Sequence, residues 1–296
     1  MTVSFDDAAS FLNASFAPTN LTILYLESSQ FETPAVIFHL ITTVTSNCQL
    51  LKSLSLFSFA TPSAVSEADD STSSLCITLD TLRPLLACPN LTSLELVHQY
   101  PLALSHADIE ALAKSWPSAE ILLLNTEPAA LDRSPLTLCA LLPFAKHCPK
   151  LRELGLFLDA SASANLELFT PTSSSPDPLP MFKSLRNLSM GVSILPPEDS
   201  NRVALFLSHI CPPPCDAHDF KLESGVTWDD VDIVSEITKI VRVRCEAWDK
   251  ILEVLPLLTR LRQEERERER ALREEVEELR WRNGVLVEMV PLADYA

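Results

Sequence analysis

Hydrophobic positions along this chain recur as a phrase of three: an apolar residue, two variable residues, a second, one variable residue, a third. It appears at Leu21/Leu24/Leu26, Leu51/Leu54/Leu56, Leu91/Leu94/Leu96, Leu151/Leu154/Leu156 and Leu185/Leu188/Met190, with weaker copies at Ala119/Leu122/Leu124 and Ala217/Phe220/Leu222. Steps between first positions are 30, 40, 28, 32, 34 and 32 residues. Alternate residues of a strand face opposite ways, so the second and third positions enter one core from a short strand. Between the phrases lie stretches with helical spacing: 34–46, 78–88, 105–116, 135–148 and 199–211. The clearest opens with Ser105 and Asp108 as a capping box and places Ile109, Leu112 and Ala113 on one face. Ser4 with Asp7 and Thr227 with Asp230 have the same form.

A strand and a return helix repeated about every thirty residues predict an α/β leucine-rich-repeat solenoid, a curved parallel sheet with outer helices, over residues 1–226. A helix over 227–255 carries Val231, Val234, Ile237, Ile240, Val241, Trp248 and Ile251 and is expected to cover the open end of the stack, ending or kinking at Pro256. A charged helical arm follows over 256–296, with Glu264/Arg268 and Glu269/Arg273 spaced for ion pairs. Its second half sets Leu272, Leu279 and Leu286 seven apart with Val276 and Asn283 between them, the seam of a short dimeric coiled coil. A solvated arm, or one folded back on the body, stands beside that reading. The inserts 60–74 and 159–180 are poor in groups that build a core and are expected to be mobile.

Residues between and just after the leucines point into the hollow of such a sheet. One column reads Ile23, Ser53, Ser93, Ile121, Glu153, Asn187, Asp219; the next Tyr25, Ser55, Glu95, Leu123, Gly155, Ser189, Lys221; the third Glu27, Phe57, Val97, Asn125, Phe157, Gly191, Glu223. The expected protein-binding surface is therefore the set Tyr25, Phe57, Val97, Ile121, Leu123 and Phe157, rimmed by Glu95 and Glu153. The competing expectation is that the two inserts fold over this stripe and bury it.

Composition narrows the chemistry. The chain has 296 residues and a net charge of -17, which disfavours nucleic acid and anionic membranes as partners. Four glycines supply no Gly-x-Gly-x-x-Gly, phosphate loop or Gly-x-Ser-x-Gly elbow. No catalytic, cofactor-binding or metal-ligating residue is assigned, and the expectation is a non-enzymatic scaffold. An acidic N-terminus and the lack of a long apolar run predict a cytosolic or nuclear location. Of the eight cysteines, Cys48, Cys88, Cys148 and Cys211 share one place, the end of a repeat's helix, which predicts packing rather than disulfides. The run His209-Ile-Cys211-Pro-Pro-Pro-Cys215-Asp-Ala-His218 holds ligand types that suit zinc, but at no common zinc spacing; a zinc-dependent protein is the lesser alternative to a structural turn.

The phrase Cys-Pro-x-Leu-x-x-Leu-x-Leu at Cys88 and Cys148, with Trp248 and the stretch Leu261-Arg-Gln-Glu-Glu-Arg266, resembles the repeat bodies and tails of F-box-like leucine-rich-repeat proteins of mushroom-forming fungi. The resemblance implies a substrate receptor of a ubiquitin ligase, with the repeats holding the target and an F-box binding the ligase adaptor. No F-box pattern precedes the phrase at Leu21, so an adaptor is implied as a partner only if an F-box lies upstream. The alternative function is a structural dimer formed through the C-terminal helix.

Overall fold

A computed structural model describes residues 3–59, 74–166, 179–212, 221–223 and 236–289, with backbone alone for 221–223, 236 and 285–289. Seven short strands form one parallel sheet in chain order: β1 Ile23–Ser28, β2 Ser53–Ser58, β3 Ser93–Val97, β4 Ile121–Leu124, β5 Glu153–Leu156, β6 Asn187–Ser189 and β7 Lys221–Glu223. Helices alternate with them: α1 Phe5–Leu12, α2 Pro34–Asn47, α3 Leu79–Leu82 running into a tighter 3-10 turn Arg83–Ala87, α4 His106–Ser115, α5 Leu141–His147 and α6 Ser200–Ile210. A last helix, α7, runs Glu236–Met289. Parallel neighbours require a crossover, and the return segments supply it.

Register follows the phrase. Leu24 pairs with Leu54, Leu54 with Leu94, Leu94 with Leu122, Leu122 with Leu154 and Leu154 with Leu188. From the second phrase to the sixth, all three positions are buried, from Leu51/Leu54/Leu56 to Leu185/Leu188/Met190. Each such leucine stabilises the fold by about 1.5–3 kcal/mol relative to exposure. Helix residues Ile37, Leu40, Ile41, Leu85, Ile109, Leu112, Leu141, Phe144, Val203 and Leu207 close the same core from the other side.

The last rung departs from the expected columns. Lys221 pairs with Asn187, Leu222 with Leu188 and Glu223 with Ser189, two residues later than the phrase Ala217/Phe220/Leu222 implied. A pleat with a period of two tolerates a slip of two without changing faces, so the spacing alone did not fix the register.

Cysteine placement matches the repeat. Cys48, Cys88, Cys148 and Cys211 each cap a return helix at its C-terminal end, and Trp116 takes that place after α4. The Cys148 thiol reaches the carbonyls of Ala113 and Trp116 at 3.4 and 3.5 Å, and Trp116 donates its indole N–H to the Leu85 carbonyl at 3.2 Å. These two groups tie the ends of α5 and α4 each to the helix end before it. The Ser105/Asp108 box closes as expected, while Thr227 and Asp230 lie outside the described residues.

Two expectations are corrected. Helix α7 passes through Pro256 without ending; the Thr259 hydroxyl donates back to the Leu255 and Pro256 carbonyls, both at 3.0 Å, on the turn where proline removes a backbone donor. The first part of the second insert is also held firmly. Asp159 bridges the segments at Thr137 and Ile194, Ala160 is fully buried, and Asn165 accepts from the Leu138 N–H at 2.9 Å while donating to the Asp159 and Ser161 carbonyls. Buried backbone needs such partners, and a single asparagine satisfies three groups there. The inserted residues 60–73 and 167–178 lie outside the described set.

Helix α7 packs along α6, burying Trp248, Ile251 and Leu255 in the main core. Its first turns reach the loops after β4 to β6: Arg244 donates to the Val192 and Leu131 carbonyls, both at 3.1 Å, and the Trp248 indole donates to Ser193 at 3.1 Å. Trp248→Ala should therefore destabilise the protein by about 3–5 kcal/mol in denaturant unfolding, from the cavity and the lost carbonyl partner. Gly191→Ala is expected to destabilise too, because Gly191 has φ +50° and an added Cβ would collide with the Thr126 backbone. Its melting temperature should fall, with the circular dichroism of the folded state retained.

Candidate protein-binding face

Among the described residues, the sheet's second face carries no helix layer over β1 to β4. Pairing brings Ile23, Ser53, Ser93, Ile121, Glu153 and Asn187 into one row and Tyr25, Ser55, Glu95, Leu123, Gly155 and Ser189 into the next. Glu27, Phe57 and Val97 form the third over the first strands. Ile23 and Tyr25 are exposed, whereas Phe57, Glu95, Val97, Ile121, Leu123 and Glu153 are half-buried by their neighbours.

Phe157 is corrected. It is buried, packed with Leu131, Val192 and Val241 in a small cluster of its own. The cover comes from the loop after β4 and from the start of α7. Gly155 and Gly191 allow Thr126 to press onto the sheet there, since a Cβ on Gly155 would stand 2.6 Å from the Thr126 methyl. Asn125 also leaves the third column: it turns left-handed, φ 54°, and is buried, accepting from the His98 N–H at 2.8 Å and donating to the Tyr100 carbonyl at 2.7 Å. Asparagine tolerates that conformation when its side chain bonds locally. The uncovered patch thus shifts toward β1 and β2.

Aromatic rings concentrate at that end. Tyr25 and Phe57 have centroids 5.1 Å apart, and Phe57 stacks on exposed Phe59 at 5.9 Å. Phe59 follows β2 and was absent from the expected surface; its signal in the sequence is a large apolar residue at the odd position just beyond the phrase. A second group, Phe31, His98 and Tyr100, lies at the same strand ends, with Phe31 to His98 at 5.3 Å. The His98 Nε2 bonds to the Glu32 carbonyl at 3.1 Å while its Nδ1 accepts from the Tyr100 N–H at 3.3 Å. Burial first, opposed by the bonds to the Glu32 and Tyr100 carbonyls, holds His98 below its ordinary value, so it is a neutral structural ring.

The carboxylates are Glu27, which accepts from the Tyr25 hydroxyl at 3.2 Å, and Glu95 and Glu153 on adjoining rows. Burial, and next the Glu153 charge, push Glu95 upward, with a bond from the Ser55 hydroxyl opposing. Asn187 beside Glu153 has a buried carbonyl oxygen with no donor near it. Lys52, Arg152 and Arg186 stand one residue before their strands, at the rim, where Arg152 meets Glu120 at 3.6 Å.

Of the residues weighed for zinc, His209 is half-buried and Cys211 is buried in the core, its thiol pushed up by burial; Cys215 and His218 lie outside the described residues. Burial likewise pushes Cys148 up to about 12. No cluster of three or more His, Cys, Asp or Glu side chains able to hold a metal occurs among the described residues. No helix among the described residues is long and apolar enough to cross a membrane.

Glu95 gives a pH test. Its folded-state value lies above the unfolded one, so its charged form weakens the fold at neutral pH, and that cost fades as pH falls through the raised value. Glu95→Gln should raise the melting temperature at neutral pH, and the gain should vanish below about pH 3, where the carboxyl is protonated in both states. A gain that persists unchanged in acid would contradict this account. No protein-family model matches the chain, and no curated protein matches it either.

Proposed function

We propose that this chain is a non-enzymatic protein-binding scaffold of the leucine-rich-repeat solenoid kind, and that its partner lies across the bare face of β1 to β4. The observation that carries this reading is the run Tyr25, Phe57 and Phe59, three neighbouring rings left at the surface of an otherwise well-packed sheet. Rings of this size bury large areas at little entropic cost and recur as the anchors of interfaces. Ile23, Ile121 and Leu123 extend the apolar area, and Ser53 and Ser93 supply small hydroxyls between them.

The polar groups on the same face favour one chemistry. Glu27, Glu95 and Glu153 are acceptors, so a partner segment rich in Lys or Arg with interspersed apolar residues fits best. The rim cations Lys52 and Arg186 would repel such a segment from the N-terminal edge and hold it over the carboxylates. The net charge of -17 supports a protein rather than a nucleic acid or an anionic membrane as partner. Free, buried Cys48, Cys148 and Cys211 support a reducing compartment, cytosol or nucleus. The resemblance to F-box-like repeat proteins gives the reading its specific form, a part that holds a target for ubiquitination.

Peptides selected on the wild-type protein from a random display library test this. Enrichment of basic residues mixed with apolar ones is expected, with a loss of roughly tenfold or more in affinity for the Tyr25→Ser/Phe57→Ser variant. Selected peptides that bind the variant as well as the wild type would remove the sheet face as the site. Leu123→Ser is a milder member of the series; Phe157 is unsuitable, because its replacement would damage the buried cluster with Val241.

A further inference from the structure

Beyond Arg266, whose guanidinium reaches the His209 carbonyl at 2.9 Å, every described side chain of α7 as far as Gly284 is exposed. On this bare helix Leu272, Val276 and Leu279 remain 61, 46 and 49% exposed. With Asn283 they follow the alternating three-and-four spacing of a two-stranded seam, and Leu286 continues it on the described backbone. A stripe of that period on a helix with no neighbour among the described residues has a natural occupant in an identical helix. We infer that the chain forms a homodimer through a parallel, in-register coiled coil over Leu272, Val276, Leu279 and Asn283.

Charges beside the seam carry the choice of orientation. The flanking positions hold Arg268, Arg273, Glu275, Arg280 and Arg282. Arg268, Arg273 and Arg282 are bound within their own helix, to Glu264 at 3.4 Å, Glu269 at 2.6 Å and Glu278 at 2.6 Å. Glu275 and Arg280 form no ion pair within the described chain. In a parallel dimer each flanking residue faces the one five positions further along the partner, so Glu275 meets the second copy's Arg280, twice by symmetry. Arg268 then faces Arg273, but each is already neutralised. In an antiparallel pairing centred on Val276 and Leu279, Arg273 would face Arg280, and Asn283 would be set against Leu272 with its amide unmatched. Parallel pairing sets Asn283 against Asn283, where the two amides satisfy each other.

The body leaves room for the second helix. Leu255, Thr259, Arg262 and Arg266 mark the side of α7 that faces the body. At about 100° per residue, the seam lies roughly 110° around the helix from that side. Trp281, 70% exposed, sits on the helix side opposite the seam. This arrangement places two bare sheet faces at one end of a common stalk, so a partner with two binding segments would engage both. The dimer does not depend on the sheet face being a docking site.

Light scattering on the full chain over a range of concentrations tests the inference. Wild type should show twice the chain mass, and Leu279→Asp should show the mass of one chain with unchanged near-ultraviolet circular dichroism. Glu275→Arg alone, and Arg280→Glu alone, should each weaken self-association roughly tenfold, since two pairs become repulsive. Mixing those two variants should restore dimers, as should Glu275→Arg/Arg280→Glu in one chain. A wild type that stays monomeric, or a dimer untouched by Leu279→Asp, overturns the seam. Failure of the mixed variants to recover overturns the parallel pairing. Peptide capture by the sheet face should survive Leu279→Asp at unchanged affinity for a single peptide, which separates this result from the proposed binding function.

Discussion

Everything in this molecule depends on the leucine layer being shared. A single strand of three to six residues with one return helix cannot shield its apolar side from water, so each rung is stable only against the next. Leu54 beneath Leu24 and Leu94, or Leu154 between Leu122 and Leu188, is buried because its neighbours are there. The requirement forces registered, parallel stacking in chain order. That stacking in turn makes the opposite side of each strand a row of residues freed from the core, and those rows are the protein's available surface.

Ends and interruptions of the stack are handled by specific groups. At the N-terminal end, α1 brings Phe5, Ala9 and Leu12 onto the core, and the Phe5 N–H is satisfied by Glu32 at 3.0 Å. Glu32 itself is buried, accepting also from the Ser28 hydroxyl at 2.6 Å, while its N–H donates to the Ser58 hydroxyl at 3.1 Å. At the other end, α7 performs two tasks along one length: Trp248, Ile251 and Leu255 close the helix layer, while Val241 and Arg244 close the loops over β5 and β6. The same cover that seals the core removes Phe157 from the surface. Covering and binding compete for the same side chains, and the balance is struck between β4 and β5.

The helix-strand alternation, the pairing of β1 to β6 and the capping place of the cysteines could be read from spacing, because a repeated phrase states the same physical demand many times. Features that occur once could not. Phe157 fits the surface column as well as Phe57 does, and only the long-range arrival of α7 distinguishes them. Asn125 reads as another outward residue until its left-handed turn is seen. The slip at Lys221 leaves the faces unchanged, so no polarity rule detects it. Phe59 lies three residues beyond the phrase, on the outward parity of Phe57 but past the last of the three columns. The acidic character of the face was legible in Glu95 and Glu153, but the aromatic run was only half so.

In the sheet each strand pairs only with the strands before and after it in the chain, so β1 and β7 have a strand partner along one edge only. Such an object loses order by fraying inward, so a defect near β1 costs one layer whereas a defect at β4 splits the column into two short stubs. The aromatic run lies on the rungs at the fraying margin. Anything bound there would clamp that end, and protection of the β1 and β2 amides against hydrogen exchange would then track occupancy of the face.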